Sequence, residues 1–251
     1  MNIRLIPAFI ILLSIGCSKQ KVVFSNNPGA PDYLHNRPVG ASANEILSSS
    51  KYSSVVVEVQ YMTGYAPDAT AMNYLQGFIN SYANKPGGIT VVTKQIDASS
   101  SATLNLDQVR NIEEANRTAF TSTSQIALYI LYTNGNYSDN NVIGLAYRNT
   151  SIVIFGKTVH DNSGGLGQVN RVKLEATVGE HEMGHLLGLV NLGSPMQASH
   201  QDAAHPNHCT NSNCLMYYSS NTKDALGFLL AGNIPTLDAN CAADLHANGG
   251  K

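Results

Sequence analysis

The spacing of apolar and polar residues predicts five strands along the chain. Three are well separated, and the third of these is an almost unbroken apolar run, which is typical of a strand buried on both faces. The other two are short and are joined by Arg148-Asn149-Thr150, which predicts a hairpin at a sheet edge. In order, the predicted strands are Ser54–Tyr61, Ile89–Ile96, Gln125–Tyr132, Val142–Tyr147 and Ser151–Phe155.

Helical apolar spacing predicts four helices around these strands, namely Ala41–Leu47, Asp68–Tyr82, Asn105–Phe120 and Gln168–Leu187. After Gly188 the pattern is irregular, and regular structure is expected again only at Leu237–His246. Strands alternating with helices indicate a mixed sheet with flanking helices, hence an α/β (α+β) fold. We expect one domain over residues 39–251, with an N-terminal subdomain to residue 188 and an irregular C-terminal subdomain over 189–251.

The first residues predict an export signal. Arg4 precedes an apolar run over residues 5–15, which is too short to cross a bilayer and is typical of a secretory signal. The run ends in small residues before Cys17, which resembles a bacterial lipobox, so we expect residues 1–17 to be removed up to a lipidated Cys17. An ordinary signal peptide with an incidental cysteine is the alternative. Residues 18–38 predict a tether. The expected location is a bacterial membrane, facing the periplasm or the cell surface, with the lipid as the only membrane contact.

Composition narrows the function. The 251 residues carry 15 Lys+Arg against 17 Asp+Glu and no Trp. No basic footprint for nucleic acid exists in such a chain. Apart from Cys17, only Cys209, Cys214 and Cys241 remain, which in an oxidising compartment suggests one disulfide and one leftover thiol. Cys209 and Cys214 are close enough in sequence to pair, and Cys241 could compete for either partner.

The candidate chemistry lies in His181-Glu182-Met183-Gly184-His185, an HExxH pattern within a predicted helix. Histidines four residues apart lie on one helix face and can bind one zinc ion. Glu182 can take a proton from water acidified by that zinc as the water attacks a carbonyl carbon. Catalytic zinc usually has a third protein ligand. Candidates follow Gly188, which we expect to end the helix.

The chain resembles the metzincin zinc metallopeptidases, and most of all the archaemetzincins, whose pattern is HExxHxxGxxHC, four residues, then C-x-M. Asn191 occupies the position of the third histidine. However, His208-Cys209, four residues and Cys214-Leu215-Met216 reproduce the second half after an insertion over about residues 190–206. The resemblance covers about residues 125–218. The chain also resembles exported lipoprotein metallopeptidases of Bacteroidetes.

This resemblance implies roles for individual residues. His208 matches the third ligand, with His205 and His200 as less favoured candidates, and Met216 matches the Met-turn beneath the metal. Tyr218 stands where astacin- and serralysin-like metzincins place a tyrosine that hydrogen-bonds an oxyanion. Archaemetzincins hold a structural zinc with these two cysteines and a downstream CxxC. The CxxC is missing here, which favours a Cys209–Cys214 disulfide and a single catalytic Zn2+.

The predicted function is therefore that of a zinc-dependent metalloendopeptidase with Glu182 as general base, acting on protein or peptide substrates as a monomer. Two alternatives stay open. One is a catalytically silent lipoprotein that uses the zinc fold for binding, which would have no need of Glu182. The other is a zinc amidase acting on cell-wall peptide.

Overall fold

A computed structural model describes residues 33–251. The predicted signal segment 1–17, its Cys17 and the tether up to residue 32 lie outside the described residues. The last residues of the predicted tether contact the domain. The Arg37 guanidinium donates to the Glu45 carboxylate, and the Arg37 backbone carbonyl accepts from the Asn149 backbone N–H. Within residues 33–251, none of the helices is both long and apolar enough to cross a bilayer.

Residues 33–251 contain seven strands and seven α-helices. The strands are β1 (Ser54–Met62), β2 (Ile89–Ile96), β3 (Thr103–Leu104), β4 (Gln125–Tyr132), β5 (Asn136–Tyr137), β6 (Gly144–Arg148) and β7 (Ser151–Ile154). The helices are α1 (Ala43–Leu47), α2 (Ala69–Tyr82), α3 (Leu106–Asn116), α4 (Gly156–Asn162), α5 (Arg171–Leu186), α6 (Ala225–Ala231) and α7 (Ala239–Ala247). A 3-10 turn at Tyr218–Asn221 precedes α6.

Five strands form one mixed sheet in the order β2-β1-β4-β7-β6. β4 lies at its centre and pairs in parallel with β1 and β7, which explains its continuous apolar sequence. β6 runs antiparallel to β7 and occupies one edge. The predicted α/β class and edge hairpin are therefore confirmed. β3 and β5 form a separate two-stranded sheet.

Helices cover both faces of the large sheet. On one face, Val55, Val57 and Val59 of β1 pack in a single core with residues of α2 and α5. On the other face, Val109 of α3 packs with β4 side chains such as Tyr129. This layering holds α5 against the sheet next to β6 and β7.

The predicted helix over residues 105–120 ends earlier, at Asn116. Asn105 caps its start in a capping box, and the backbone turns extended at Arg117. The buried Arg117 guanidinium donates to the Glu113 carboxylate at 2.7 Å and to the Ala127 carbonyl at 2.9 Å. These contacts fix Arg117 in a non-helical conformation, so the helix does not continue. Phe120 lies beyond the end of the helix and is partly exposed.

Other boundaries moved by a few residues because of caps and bridges. Asn170 caps α5, so this helix begins at Arg171 rather than at 168. Val142 forms an isolated bridge with Thr222 instead of extending β6. The short elements β3, β5, α4 and α6 were not predicted, since two to seven residues carry too little periodicity.

Candidate metal centre

Helix α5 presents two histidines to one point. The helix is buried from Leu174 to its end, because it packs between the sheet and the C-terminal segment. His181 and His185 are one turn apart, and their Nε2 atoms lie 3.1 Å from each other. The spacing of the HExxH pattern therefore produces the convergence that was predicted.

Gly188 ends this helix as expected. Its φ of +80° is a left-handed conformation that glycine adopts without strain. A Cβ at this position would also lie 2.5 Å from the Ser194 backbone nitrogen. The chain then leaves the helix axis, and Asn191, at the third-ligand position of the family pattern, is exposed at a φ of +68°.

His208 completes a three-histidine group. One ligand nitrogen from each of His181, His185 and His208 lies within 4.8 Å of the others. The His208 backbone N–H donates to the His205 carbonyl, in a tight turn that includes Asn207 at a φ of +68°. The structure thus brings His208 to the pair on α5, and it brings neither His205 nor His200.

The chemistry of these three side chains fits a metal ion. His181 Nδ1 lies 2.8 Å from the Leu215 carbonyl, so this nitrogen carries the proton and Nε2 has a free lone pair. His208 Nε2 is buried without a hydrogen-bond partner among residues 33–251, which is costly unless it binds something. Zinc accepts such neutral imidazole nitrogens as ligands.

Burial also keeps the three imidazoles neutral. It lowers the pKa of His181 to about 3, with help from nearby His208. It lowers the pKa of His185 well below the usual value, where His181 and His208 add to the effect. The pKa of His208 is lowered by the same desolvation. Neutral histidine is the form that binds a metal, so no proton has to be displaced.

Glu182 lies beside the first histidine and is fully buried. Its Oε2 accepts from the Ala146 backbone N–H at 2.6 Å, and its Oε1 accepts from the Asn221 amide at 2.9 Å. Burial raises the pKa of this carboxyl to about 7, while the two hydrogen bonds oppose the rise. A carboxyl with a pKa near neutrality is suited to taking and returning a proton.

Met216 packs against helix α5 at Gly184. It is fully buried, and a Cβ on Gly184 would come within 2.4 Å of its Sδ. The Met216 carbonyl accepts from the Cys209 N–H at 2.8 Å, directly after His208. Met216 leaves no room for a side chain at Gly184, and its role beneath a metal stays a prediction.

Tyr218 contacts the inserted segment. Its ring stacks on His205 with centroids 3.7 Å apart and planes 5° from parallel. His205 Nδ1 in turn lies 2.8 Å from the Asp202 carboxylate. The role of Tyr218 toward an oxyanion stays a prediction.

The predicted Cys209–Cys214 disulfide is not formed. Cys209, Cys214 and Cys241 are buried free thiols, and Cys214 Sγ lies 3.6 Å from Cys241 Sγ. The pairing was expected because the two residues are close in sequence. Helix α7, which the family pattern does not describe, brings Cys241 to the same place instead.

We compared the sequence and the fold with those of known proteins. No protein-family model matches the sequence, and a search of curated proteins finds no match either. Archaemetzincin from Methanopyrus kandleri superposes with a TM-score of 0.51 at 17% identity, over 78% of this chain and 96% of that one.

This chain has an archaemetzincin-like fold.

Two further solved structures are similar at a lower level. Metalloproteinase-II from Bacteroides fragilis gives a TM-score of 0.42 at 15% identity, over 89% of this chain and 59% of that one. Mirolysin, in complex with compound 9, gives 0.34 at 13% identity, over 78% and 91%.

The archaemetzincin-like fold adds site groups that the sequence pattern did not reveal. The Leu215 carbonyl orients His181, and the Ala146 N–H and Asn221 amide hold Glu182. Two of these are backbone atoms, which carry no sequence signal. Asn221 closes the 3-10 turn after Tyr218, and nothing in its neighbourhood distinguishes it from other polar loop residues.

Proposed function

We propose that this chain is a zinc-dependent metallopeptidase that hydrolyses peptide bonds with Glu182 as its general base. The observation that carries the proposal is the convergence of three neutral imidazoles beside a buried carboxylate. The archaemetzincin-like fold agrees with it.

In this proposal three histidines bind the metal and Glu182 transfers the proton. His181, His185 and His208 would hold the ion, and the Leu215 carbonyl fixes the ring of His181. A zinc ion in such a set supplies Lewis acidity, which acidifies water and polarises a carbonyl oxygen. Glu182 receives a proton from the attacking water and passes it to the amine that leaves. Its two hydrogen bonds keep the carboxylate aimed while it does so.

Peptide hydrolysis in a mixture of unrelated peptides tests the proposal, because the pocket specificity is open. Products identified by mass spectrometry from the zinc-loaded protein, absent with Glu182→Gln, are the expected result. Cleavage at internal bonds would make the enzyme an endopeptidase. Zinc binding without turnover of any peptide would favour the binding lipoprotein, and release of stem peptides from cell wall alone would favour the amidase.

We also propose export and lipid anchoring through Cys17, from the apolar run and small residues that precede it. Labelling of the protein by a radioactive fatty acid in a bacterial host, lost in Cys17→Ala, is the expected result. Secretion of the wild-type chain without label would instead indicate an ordinary signal peptide.

A further inference from the structure

A second group of metal-binding side chains lies behind the three histidines. His200 comes from the inserted segment, Cys209 and Cys214 flank the turn before Met216, and Cys241 comes from helix α7. All four are buried. His200, Cys209 and Cys241 each offer a ligand atom within 4.8 Å of the others, in a group that also includes Asp238. Cys214 is not part of that mutually close group and adjoins it through Cys241.

Three distances among the four side chains match those of a zinc ligand set. Tetrahedral zinc with ordinary Zn–S and Zn–N bonds places its ligand atoms about 3.5–3.8 Å from one another. His200 Nδ1 lies 3.5 Å from Cys209 Sγ and 3.8 Å from Cys241 Sγ. Cys241 Sγ lies 3.6 Å from Cys214 Sγ.

The surroundings prepare His200 as a ligand. Its Nε2 lies 2.8 Å from the buried Asp244 carboxylate, which therefore accepts the imidazole proton. Nδ1 is then left with a lone pair directed at the sulfurs of Cys209 and Cys241. A carboxylate that holds the far nitrogen of an imidazole is the usual partner of a metal-bound histidine.

Backbone groups are arranged around the sulfurs as well. Cys209 Sγ accepts from the Asn211 N–H at 3.5 Å, and Cys214 Sγ accepts from the N–H groups of Met216 and Asp238, each at 3.4 Å. Such donors stabilise negative charge on sulfur, which is the form that binds metal.

We propose that His200, Cys209, Cys214 and Cys241 bind a second, structural zinc ion. The archaemetzincin pattern relies on a CxxC pair that this chain lacks, so the site is built differently: an imidazole from the insertion and one cysteine of α7 stand in for it. Asp238 Oδ2 also lies 3.4 Å from Cys209 Sγ. We place Asp238 beside the ligand set and not in it, because Oδ1 already accepts from the Cys241 N–H at 2.9 Å and Oδ2 from the Asn211 amide at 3.0 Å.

This ion would hold the three-histidine site in place. Cys209 follows the third ligand His208 directly, and Cys214 precedes Leu215, whose carbonyl orients His181. Fixing both cysteines therefore fixes the turn that supplies a ligand and an orienting carbonyl. The inserted segment, which separates the two halves of the family motif, is anchored to α7 by the same ion.

Cobalt substitution distinguishes the two sites, because only the second contains sulfur. The protein is loaded with Co2+ in the Glu182→Gln variant, which avoids self-digestion. We expect a near-ultraviolet sulfur-to-cobalt charge-transfer band that disappears in Cys241→Ser and in His200→Ala loses intensity or shifts. His205→Ala, a histidine of the same inserted segment outside the cluster, should leave the band unchanged. Absence of the band from the cobalt-loaded Glu182→Gln protein would overturn the proposal, whatever the peptidase activity of the wild-type protein.

The number of zinc ions bound per chain is a second, independent test of the proposed site. The parent chain should carry about two zinc ions, and removal of one ligand set at a time, by His181→Ala or Cys241→Ser, should leave about one. Cys241→His, which keeps a ligand, should restore the second ion if Cys241→Ser folds poorly. Asp238→Asn should retain both ions. One zinc in the parent that is lost in His181→Ala, or a Cys214–Cys241 disulfide in the metal-loaded protein, would refute the site.

Discussion

The carboxylate of Glu182 accepts a 2.6 Å hydrogen bond from the backbone N–H of Ala146. This contact joins the metal-binding helix α5 to the edge strand β6, and the second oxygen is held by Asn221 at 2.9 Å. The orientation of the proposed general base is therefore set by a strand and a turn, not by the helix that carries it.

Gly144 controls how closely β6 approaches this helix. A Cβ at Gly144 would lie 2.4 Å from Val178 Cγ1 and 3.2 Å from Glu182 Cγ, so the strand or the helix would have to move. We expect Gly144→Ala to lower the free energy of unfolding by about 1–3 kcal/mol, the usual cost of overpacking. It should also reduce turnover more than zinc affinity, because it displaces Glu182 rather than a ligand. Denaturant unfolding measures the stability, chelator competition the zinc affinity, and steady-state kinetics the turnover. Unchanged turnover would show that the close approach is not needed.

Replacing Glu182 by Gln should leave zinc bound and reduce peptide hydrolysis by about 10²–10⁴-fold, the usual contribution of a general base. Both partners of the carboxylate are donors, so the new amide keeps one hydrogen bond and the Asn221 amide has to turn to supply an acceptor for the other. Metal analysis beside steady-state kinetics checks this. Activity close to the parent's with full zinc content would remove Glu182 from its assigned role.

The sequence was most informative where function depends on local spacing. His181, Glu182, His185 and Gly188 lie within one helix and its cap, so their geometry follows from helical periodicity. His208 could be placed only through the family pattern, because a long insertion separates it from the helix.

Long-range contacts explain what could not be predicted. Cys241 meets Cys214 across 27 residues through the packing of α7, which no short-range pattern describes. Proximity in sequence favoured a Cys209–Cys214 pair instead. Likewise, helix α3 ends at Asn116 because Arg117 binds groups of β4 and its own helix, a tertiary effect that outweighs local propensity.

Glu175 should make stability depend on pH. Burial raises its pKa to about 7, although the Asp68 N–H donates to it at 2.7 Å. An unfolded chain loses this proton near the ordinary value of 4.5 while the folded chain still holds it, so stability falls as pH rises from about 4.5 to 7.

Glu175→Gln should therefore stabilise the protein by about 1–3 kcal/mol at pH 8 and change it little at pH 4. Urea unfolding of both proteins at the two pH values gives the comparison. An equal difference at both values would show that titration of this carboxyl does not contribute.

The third ligand is tested by three matched substitutions. His208→Ala removes the buried Nε2 that has no other partner, whereas His205→Ala removes a ring that is bonded to Asp202 and stacked on Tyr218. We expect His208→Ala to weaken zinc binding at the α5 site by far more than the 10–100-fold typical of an outer contact. His200→Ala should weaken it by an amount within that range, through the turn, and His205→Ala should have little effect. Normal binding in His208→Ala together with loss in His205→Ala would reverse the assignment.

Gly184 tests the support beneath the metal. A Cβ there would lie 2.4 Å from Met216 Sδ and 3.3 Å from Leu189 Cδ1, so Gly184→Ala has to displace the methionine from under the histidines. We expect a loss of stability of about 1–3 kcal/mol from this overpacking, with weaker zinc binding. Gly179 on the same helix is the matched control, because a Cβ there would meet only Ile154 Cδ1 at 3.8 Å and Leu75 Cδ1 at 4.0 Å, both ordinary contacts. Gly179→Ala should instead gain up to about 1 kcal/mol from helix propensity. Thermal unfolding and chelator competition on the pair decide the matter: if both alanines behave alike, the contact between Met216 and the helix does not support the site.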